Sequence, residues 1–359
     1  MIGAAITGHG GVDQIQVLSL PEPVPGPSDV VVQMAYAALN RADLLIRQGL
    51  TGPGVRRPRQ LPHVLGVDGA GTVVATGAQV GDAVRVGDRV AVFPASSCEA
   101  CQYCRRGLTS SCAQYTLVGE EEPGLQQQLF AVPARSVVRL PDSLSLLDAA
   151  AVPAAYTTAW TVVVTTGAVR PGERVLVVGG GGGVAIAAMQ LAAHSGAQVW
   201  TTTRSEEKAA RLRELPFVDR VFSPAAPGWS AAVLDATDGE GVDVVVDSVG
   251  APTWRDSIRV LAPGGRLVVC GATGGDVPDI SIRELYQGNR RVLGAPFGGW
   301  NDFRDAFAFL GRSEVRPVID RVLPLERVRD AHRALEAQEQ VGKIVLDLGT
   351  GSGPGHTAS

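Results

Sequence analysis

The chain has 359 residues and a formal net charge of −4, and 45% of its residues are hydrophobic against 19% charged. A single hydrophobic core stops growing at about 250–300 residues, so this length predicts two domains. The mildly negative charge argues against nucleic acid and against an anionic membrane as the main partner. The N-terminal residues lack the pattern of a secretory signal, and no apolar run reaches the ~20 residues that cross a bilayer, so we expect a cytoplasmic protein without a membrane partner.

Residues 1–153 contain short β-rich runs bounded by glycine, proline and aspartate. Examples are QIQVLSL, DVVVQMAYAAL, GAGTVVATG and DRVAVFP. Runs of this length and composition are typical of antiparallel strands joined by turns. They predict a β-rich, barrel-like domain.

Four cysteines lie close together within residues 96–113. Their spacing is C-x2-C-x2-C-x7-C, and they are Cys98, Cys101, Cys104 and Cys112. Four thiolates from one short loop predict a closed, structural zinc site with one ion per chain. An iron–sulfur cluster is an alternative on spacing alone, but the loop lacks the proline-terminated ferredoxin run, and a redox C-x-x-C pair needs only two of the four. We interpret Cys270 as a small buried hydrophobic residue.

Beyond about Val162 the apolar runs alternate with helical patterns. Six runs have the spacing of βα units: RVLVVG, QVWTTT, VDRVFS, VDVVVDSV, RLVVCG and RVLGAP. Their near-continuous apolar character predicts a parallel sheet covered on both faces. Between two of them we expect the helix PTWRDSIRVL to end at Pro263-Gly264. After Ala295 come two more helical stretches and a strand, KIVLDL, and we expect residues 349–359 to be a disordered tail.

The segment from Val175 to Ala188, VLVVGGGGGVAIAA, is a strand that leads through glycines into a helix. Such a turn presents unpaired N–H groups and the positive end of a helix dipole to an anion. The motif G-x-G-x-x-G/A places its third position at Ala185, and the residues expected at the pyrophosphate of a dinucleotide are Gly180, Gly182, Gly183 and Val184. The fold class is therefore α/β, a Rossmann doubly wound parallel sheet with a second, β-rich domain.

The end of the second strand, QVWTTTRSEEK, predicts which dinucleotide is bound. NAD enzymes place an acidic residue there to hold the ribose hydroxyls, whereas this chain has Thr203. The residues that follow, Arg204, Ser205 and Lys208, attract a 2′-phosphate, so we favour NADPH. The alternative is a helix that opens with Ser205 as its N-cap, and both interpretations can hold together.

Several motifs together resemble the medium-chain dehydrogenase/reductase superfamily over residues 1–348. They include ALNRADLLIRQG, LGVDGAGTVVATG, AAVPAAYTTAW, PGERVLVVGGGGGVA and VGKIVLDLG. The resemblance implies a GroES-like catalytic domain at 1–153, a cofactor domain at 154–294 and a return to the catalytic domain at 295–348. It also implies a homodimer that acts on a small molecule.

Within this family the resemblance points away from a catalytic zinc. Zinc alcohol dehydrogenases have ligands at the positions of Asn40, Val67 and Ala154, and begin a proton relay where this chain has Ala42. ALNRADLLIRQG and LGVD instead resemble the zinc-independent quinone oxidoreductase branch, although most of its members lack the four-cysteine lobe. The expected activity is hydride transfer from NADPH to a quinone or an α,β-unsaturated carbonyl. The alternatives are an alcohol dehydrogenase with an atypical site and a non-catalytic NADPH-binding protein.

The resemblance also implies individual site residues. Those expected at the cofactor are Thr158, Gly271, Ala272, Phe297 and Lys343. The strand ends DSVG (Asp247–Gly250) and CGATGG (Cys270–Gly275) are expected to flank its adenosine and nicotinamide halves. Those expected near the substrate as catalytic candidates are Asn40, Asp43 and Tyr156, together with Asp68. The alternatives are that the two aspartates hold loops by hydrogen bonds and that Tyr156 is a packing residue. The loop GVRRPRQ, with Arg56, Arg57 and Arg59, is either solvated surface or a contact for an acidic or phosphate-bearing substrate.

Overall fold

The computed structural model of the chain describes residues 1–50, 57–223 and 228–349. They form two compact units, one of Met1–Ala154 with the described residues from Phe307 onward, the other of Ala155–Ala306. The strands are β1 Ile2–Ile6, β2 Ile15–Ser19, β3 Asp29–Ala38, β4 His63–Val64, β5 Asp68–Thr76, β6 Arg89–Val92, β7 Ala95–Ser96, β8 Thr116–Leu117, β9 Leu129–Pro133, β10 Val137–Arg139, β11 Arg174–Val178, β12 Gln198–Thr202, β13 Arg220–Phe222, β14 Val242–Asp247, β15 Leu261–Val269, β16 Arg291–Gly294, β17 Ile319–Pro324 and β18 Lys343–Asp347.

The helices connect and flank these strands. They are α1 Arg41–Gln48, α2 Gln102–Arg105, α3 Leu146–Ala150, α4 Pro153–Trp160, α5 Gly183–His194, α6 Glu206–Arg213, α7 Trp229–Asp235, α8 Ala251–Arg259, α9 Ile282–Gln287, α10 Trp300–Arg312 and α11 Val328–Glu336. A π-helical turn, Thr161–Thr166, follows α4 directly. Among the described helices, none combines the length and the apolar character needed to cross a bilayer.

The first unit is built around β3. This long strand pairs antiparallel with β5, β9 and β18, in a sheet of order β10-β6-β5-β3-β18-β17. The strands β2, β1 and β4 form a second antiparallel sheet. Alternate residues of β3, such as Val30, Val32 and Met34, enter a core that also receives Leu44 of α1. The antiparallel pairing predicted for residues 1–153 is confirmed, and β17 and β18, from the end of the chain, add a parallel pair to the same sheet.

The second unit is a six-stranded parallel sheet of order β13-β12-β11-β14-β15-β16. Numbered from β11, this is the order 3-2-1-4-5-6 of dinucleotide-binding sheets, and all six predicted strands are present. Its central strands are buried on both faces, since Val175, Leu176, Val244 and Val245 are all inaccessible to solvent. A ligand of such a sheet binds beyond the carboxyl ends of the strands, where the order reverses between β11 and β14.

Some local predictions need correction or stay open. The helix expected to end at Pro263-Gly264 is α8, which ends at Arg259; those two residues lie inside β15, because Leu261 already pairs with Val242. The runs that were predicted as strands from the sequence do not include β1 or β17. The domain boundaries at 153 and 294 stay predictions. Of the tail expected to be disordered, only Gly349 lies within the described residues.

Candidate functional site

The glycine turn follows β11, and its first two glycines are required by the protein itself. Gly179 has φ of 78°, a left-handed conformation that favours glycine. A Cβ on Gly180 would lie 2.2 Å from Oγ1 of Thr201 in the neighbouring strand β12. The Gly180 N–H also donates to the Thr202 carbonyl at 2.9 Å. These contacts hold the turn close to the end of β12.

Gly182 faces open space. A Cβ on Gly182 would meet no described atom within 4 Å, so this position leaves room for a ligand to approach the backbone. Gly182 is the N-cap of α5, and no described side chain caps the helix there. The N–H groups of the first turn, which begins with Gly183 and Val184, have no acceptor inside the helix. This turn fits the pyrophosphate of a dinucleotide, as predicted.

The residues expected at the 2′-phosphate lie just beyond β12. The Thr203 N–H donates to the Phe222 carbonyl at 3.0 Å, and Arg204 is exposed. Ser205 is the N-cap of α6, with its Oγ accepting from the Lys208 N–H at 3.3 Å. The helix-opening interpretation therefore holds here. It leaves the exposed guanidinium of Arg204 one residue before the cap.

The first carboxylate of α6 has its own partners. Glu206 forms an ion pair with Arg213 at 2.8 Å. A hydrogen bond from the Ser223 hydroxyl, and then the Arg213 guanidinium, lower the pKa of this carboxyl. No acidic residue occupies the position of Thr203, where an NAD enzyme needs one.

Two residues predicted at the nicotinamide lie on neighbouring segments of the second unit. A Cβ on Gly298 would lie 2.4 Å from Oγ1 of Thr161 and 3.0 Å from Cγ2 of Thr157, so the segment after β16 packs on α4. This contact brings Phe297 and Thr158 to the same part of the unit. The predicted Gly271 lies against Ser248 at the end of β14, and the next residue, Ala272, is exposed.

A buried polar network joins three of the other predicted residues in the first unit, Asn40, Asp68 and Lys343. The Lys343 ammonium donates to Asp68 Oδ2, to Asn40 Oδ1 and to the Leu39 carbonyl, at 2.7, 2.7 and 2.8 Å. Asn40 Nδ2 donates to Asp68 Oδ2 at 2.8 Å, and the other oxygen of Asp68 accepts from the Ala154 N–H at 2.6 Å. Asp68 is inaccessible to solvent and Lys343 is 4% exposed. An ion pair this deep needs additional hydrogen bonds of this kind to be stable.

The network assigns roles that the sequence left open. All three N–H donors of Lys343 bind acceptors inside the first unit, so a cofactor contact by Lys343 stays a prediction that requires one of them to be released. Asn40 and Asp68 hold each other, and Asp68 holds the start of α4, which agrees with the loop-fixing interpretation of Asp68.

Asp43 lies next to this network, at the third position of α1. Its Oδ2 accepts from the Asn40 N–H at 2.7 Å, and Asn40 is the N-cap of the helix. Burial raises the pKa of Asp43 to about 7, and Asp68 adds to the increase, while the N–H of Asn40 and the Lys343 ammonium oppose it. Asp43 therefore takes up a proton near neutral pH inside a site that already contains an ion pair.

Tyr156 has a different position from the one expected of a proton donor. It is 2% exposed, and its hydroxyl donates to Oε1 of Gln190 on α5. A hydroxyl that is buried and already bonded to the protein does not reach a substrate in this conformation. The structure thus favours the packing alternative for Tyr156.

The four cysteines of residues 96–113 converge. All four Sγ atoms lie within 4.8 Å of one another, and three of the separations are 3.5, 3.6 and 3.9 Å. Sulfurs bound at about 2.3 Å to one zinc ion lie about 3.8 Å apart in a tetrahedron. The N–H groups of Ala100 and Cys101 lower the pKa of the Cys98 thiol to about 6, which favours the thiolate that zinc binds. In the described part of the chain, no second set of three or more His, Cys, Asp or Glu side chains is close enough to hold a metal.

The arginine loop is only partly described. Arg57 and Arg59 are exposed, and Arg59 pairs with Glu122 at 2.9 Å on the surface. Exposed pairs of this kind contribute about 0–1 kcal/mol, so the pair does not define a site. Arg56 lies outside the described residues.

One buried carboxylate in the second unit was missed as a site residue. Asp247 ends β14 and is inaccessible to solvent; the resemblance implied only that its segment, Asp247–Gly250, flanks the cofactor, with no role for the carboxylate itself. An acidic residue at the end of an apolar run was the available signal, because a carboxylate there is buried and must be bound by donors.

The chain is similar to known proteins along almost its full length. Residues 26–142 match the alcohol dehydrogenase GroES-like domain, and residues 183–312 match the zinc-binding dehydrogenase domain. A zinc-type alcohol dehydrogenase-like protein of Schizosaccharomyces pombe is 31% identical over 94% of this chain and 96% of its own length. An acryloyl-coenzyme A reductase of Sulfurisphaera tokodaii is 28% identical over 95% of this chain and 99% of its own. The crystal structure of an NAD-dependent alcohol dehydrogenase has a TM-score of 0.90 and 35% identity, covering 97% of this chain and 100% of that chain. The predicted two-part α/β fold is confirmed.

Proposed function

The chain belongs to the medium-chain dehydrogenase/reductase superfamily, and from that premise we propose that it is an NADPH-dependent reductase of quinones or α,β-unsaturated carbonyls that works without a catalytic metal. The single observation that carries the proposal is the network of Asn40, Asp68 and Lys343. Asn40 stands where zinc enzymes of the family have a ligand, and here the ammonium group of Lys343 donates to Asn40 Oδ1 at 2.7 Å. The Asn40 oxygen is therefore already bound, and a metal ion at this position would have to displace that hydrogen bond.

The chemistry of the remaining positions supports the same proposal. Val67 and Ala154 stand where the zinc enzymes have their other ligands, and neither side chain can bind a metal. Oxidation of an alcohol needs a Lewis acid or a base to remove its proton. A conjugated carbonyl already has an electron-poor carbon, so its reduction needs mainly orientation and stabilisation of the developing negative charge.

The residues of the second unit would hold the cofactor. A bound, reduced nicotinamide supplies the hydride. Gly182, Gly183 and Val184 would bind the pyrophosphate through their backbone. Thr203, Arg204, Ser205 and Lys208 would select the 2′-phosphate, and Thr158, Gly271, Ala272 and Phe297 would contact the nicotinamide half. One similar structure is described as NAD-dependent, and the absence of an acidic residue at Thr203 is the reason to propose NADPH for this chain.

Within the proposed substrate class, an enoyl thioester is the member that the relatives favour. Proteins described as acryloyl-coenzyme A reductases match 95% of this chain at 28% and 29% identity. A coenzyme A thioester also carries phosphates, for which Arg57 provides an exposed positive charge and Arg59 a second one, paired on the surface with Glu122.

The test measures the oxidation of NADPH by its absorbance, with a panel of quinones, enals and enoyl-coenzyme A thioesters as acceptors. The zinc content of the purified protein is measured as well. We expect turnover with at least one of these acceptors, no oxidation of simple alcohols, and about one zinc ion per chain. Two zinc ions with alcohol oxidation would establish the alcohol dehydrogenase alternative. Tight binding of NADPH without turnover on any acceptor would establish the non-catalytic alternative.

A further inference from the structure

The Asp247 carboxylate at the end of β14 is bound by four neutral donors. Its Oδ1 accepts from the N–H groups of Val249 and Gly250, at 2.7 and 3.0 Å. Its Oδ2 accepts from the hydroxyls of Thr253 and Ser257 on α8, each at 2.7 Å. A buried carboxylate is expensive to desolvate, and four hydrogen bonds of this length compensate for it. The two oxygens therefore serve different segments, one the turn after the strand and the other the helix.

The turn that Oδ1 holds lies against the glycine turn. The Cγ2 atom of Val249 is 3.3 Å from the place that a Cβ on Gly179 would occupy. The same turn is also tied to the segment that follows β15, because the Val249 carbonyl accepts from the Gly274 N–H at 2.7 Å. Gly250 has φ of 90°, so it adopts a conformation that few other residues would hold without this support.

From these contacts we propose that Asp247 is a positioning residue for the dinucleotide. Its Oδ1 fixes the turn at residues 248–250, and through Val249 that turn supports Gly179 at the start of the pyrophosphate-binding glycines. This inference rests on the proposed function, since it requires that the glycine turn binds a dinucleotide. It adds a residue that does not touch the cofactor and yet sets the geometry of the backbone that does.

A purely structural role makes a different prediction. If Asp247 only anchored α8 through Thr253 and Ser257, its loss would lower the stability of the unit and leave dinucleotide affinity unchanged. Asp247→Asn is the conservative variant, which can keep both sets of hydrogen bonds. An asparagine retains one oxygen for the turn N–H groups, and its amide can donate to the hydroxyls of Thr253 and Ser257, which rotate to accept.

The experiment measures the Kd of NADPH by fluorescence titration for the full chain and for Asp247→Ala, Asp247→Asn and Thr237→Val, with melting temperatures for each. Thr237 is the matched control: it is buried in the same unit, and its Oγ1 accepts from the Gly241 N–H at 2.9 Å. We expect Asp247→Ala to weaken NADPH binding by about ten-fold or more and Asp247→Asn by about three-fold or less. Thr237→Val should lower the melting temperature and leave the Kd unchanged.

The outcomes separate this inference from the proposed function. If the unaltered protein binds neither NADPH nor NADH, the proposed function fails. If it binds a dinucleotide and folded Asp247→Ala binds it equally well, the proposed function stands and the positioning role is overturned. If Asp247→Ala does not fold, the comparison rests on Val249→Ala. Weaker NADPH binding by Val249→Ala, at a melting temperature close to that of Thr237→Val, supports the role, and equal binding overturns it.

Discussion

At the scale of single residues, Asp43 is both a capping group of α1 and a buried ionisable group. Its carboxylate accepts from the N–H of Asn40 at 2.7 Å, which closes the first turn of α1. The same position is fully buried, and burial raises its pKa from 3.8 to about 7. The capping bond thus stabilises the helix, while ionisation of the capping group inside the protein is costly.

This raised pKa predicts how stability depends on pH. Between about pH 4 and pH 7 the unfolded chain loses the Asp43 proton while the folded chain keeps it, so the free energy of unfolding falls as pH rises through this window. Asp43→Asn imitates the protonated side chain and cannot ionise. We expect its stability relative to the unaltered protein to increase from pH 4 to pH 7, by at most about 4 kcal/mol, and then to level off. Urea denaturation at several pH values measures this difference.

His332 changes the pH dependence of stability in the opposite direction, and it is present both in the unaltered protein and in Asp43→Asn. Burial, with a smaller effect of Arg47, lowers the pKa of His332 to about 3, so stability associated with this residue is lost as pH falls below its unfolded value of 6.5. The difference between Asp43→Asn and the unaltered protein removes that contribution. A difference that does not change between pH 4 and pH 7 would contradict the raised pKa of Asp43.

Arg204 is the residue that we expect to decide cofactor choice. It is exposed one residue before the N-cap Ser205, and its guanidinium suits a phosphate. Arg204→Ala should raise the KM for NADPH by about ten-fold and change the KM for NADH little, because loss of a charged hydrogen bond is worth about 1.5–3 kcal/mol. Steady-state kinetics with both cofactors provide the measurement. Arg259→Ala, an exposed arginine at the end of α8, is the control, and an equal effect of both substitutions would contradict the assignment.

At the scale of elements, the lobe of residues 96–113 depends on its cysteines more than on its own secondary structure. It contains only the four-residue helix α2 and a short 3-10 turn, Thr109–Ser111. Segments this short do not fold by themselves, and a metal that joins four side chains supplies the missing stability.

For this lobe we predict that substitution of one of the four cysteines causes loss of the zinc ion. Cys112→Ser should reduce the zinc content from about one ion per chain to near zero and make the lobe sensitive to protease, because three remaining thiolates bind zinc more weakly. Elemental analysis and limited proteolysis measure the two effects. The control is Cys270→Ala, outside the cluster, which should keep its zinc. Full zinc content in Cys112→Ser would show that the cluster does not hold the metal.

At the scale of the whole molecule, we propose that two copies associate through the edge of the parallel sheet. The strand β16 is at one end of the sheet, and large apolar side chains are exposed on it and on the segment that precedes it in the chain: Val277, Ile280, Ile282, Tyr286 and Val292. An open strand edge beside exposed apolar side chains is a surface that proteins usually cover.

Light scattering after size-exclusion chromatography tests this association. We expect the mass of a dimer for the unaltered chain and the mass of a monomer for Tyr286→Glu, because a charge placed on an apolar interface opposes association. Tyr286 is 65% exposed in the single chain. Val24→Glu, at a valine that is 87% exposed in the first unit, should keep the mass of the dimer. Equal masses for the unaltered chain and Tyr286→Glu would contradict the proposed interface.

Local patterns were sufficient for much of the fold. The β-rich run of β3, the apolar runs of the parallel sheet and the four clustered cysteines are properties of neighbouring residues, and each was predicted from neighbouring residues alone. Pro263-Gly264 was misassigned to the end of a helix because the pairing of Leu261 with Val242 is a contact between distant segments.

The sequence by itself determined the strand–glycine–helix segment, the lobe and the residue types available for chemistry, since these depend on spacing along the chain. Only the tertiary structure decided what each side chain does. It showed that Gly180 is required by Thr201 while Gly182 faces open space, that Tyr156 is bonded to Gln190, and that Lys343 binds Asp68 from 275 positions away. The reason is physical: hydrogen bonds and burial depend on distances in space, and folding brings together groups that no local pattern relates.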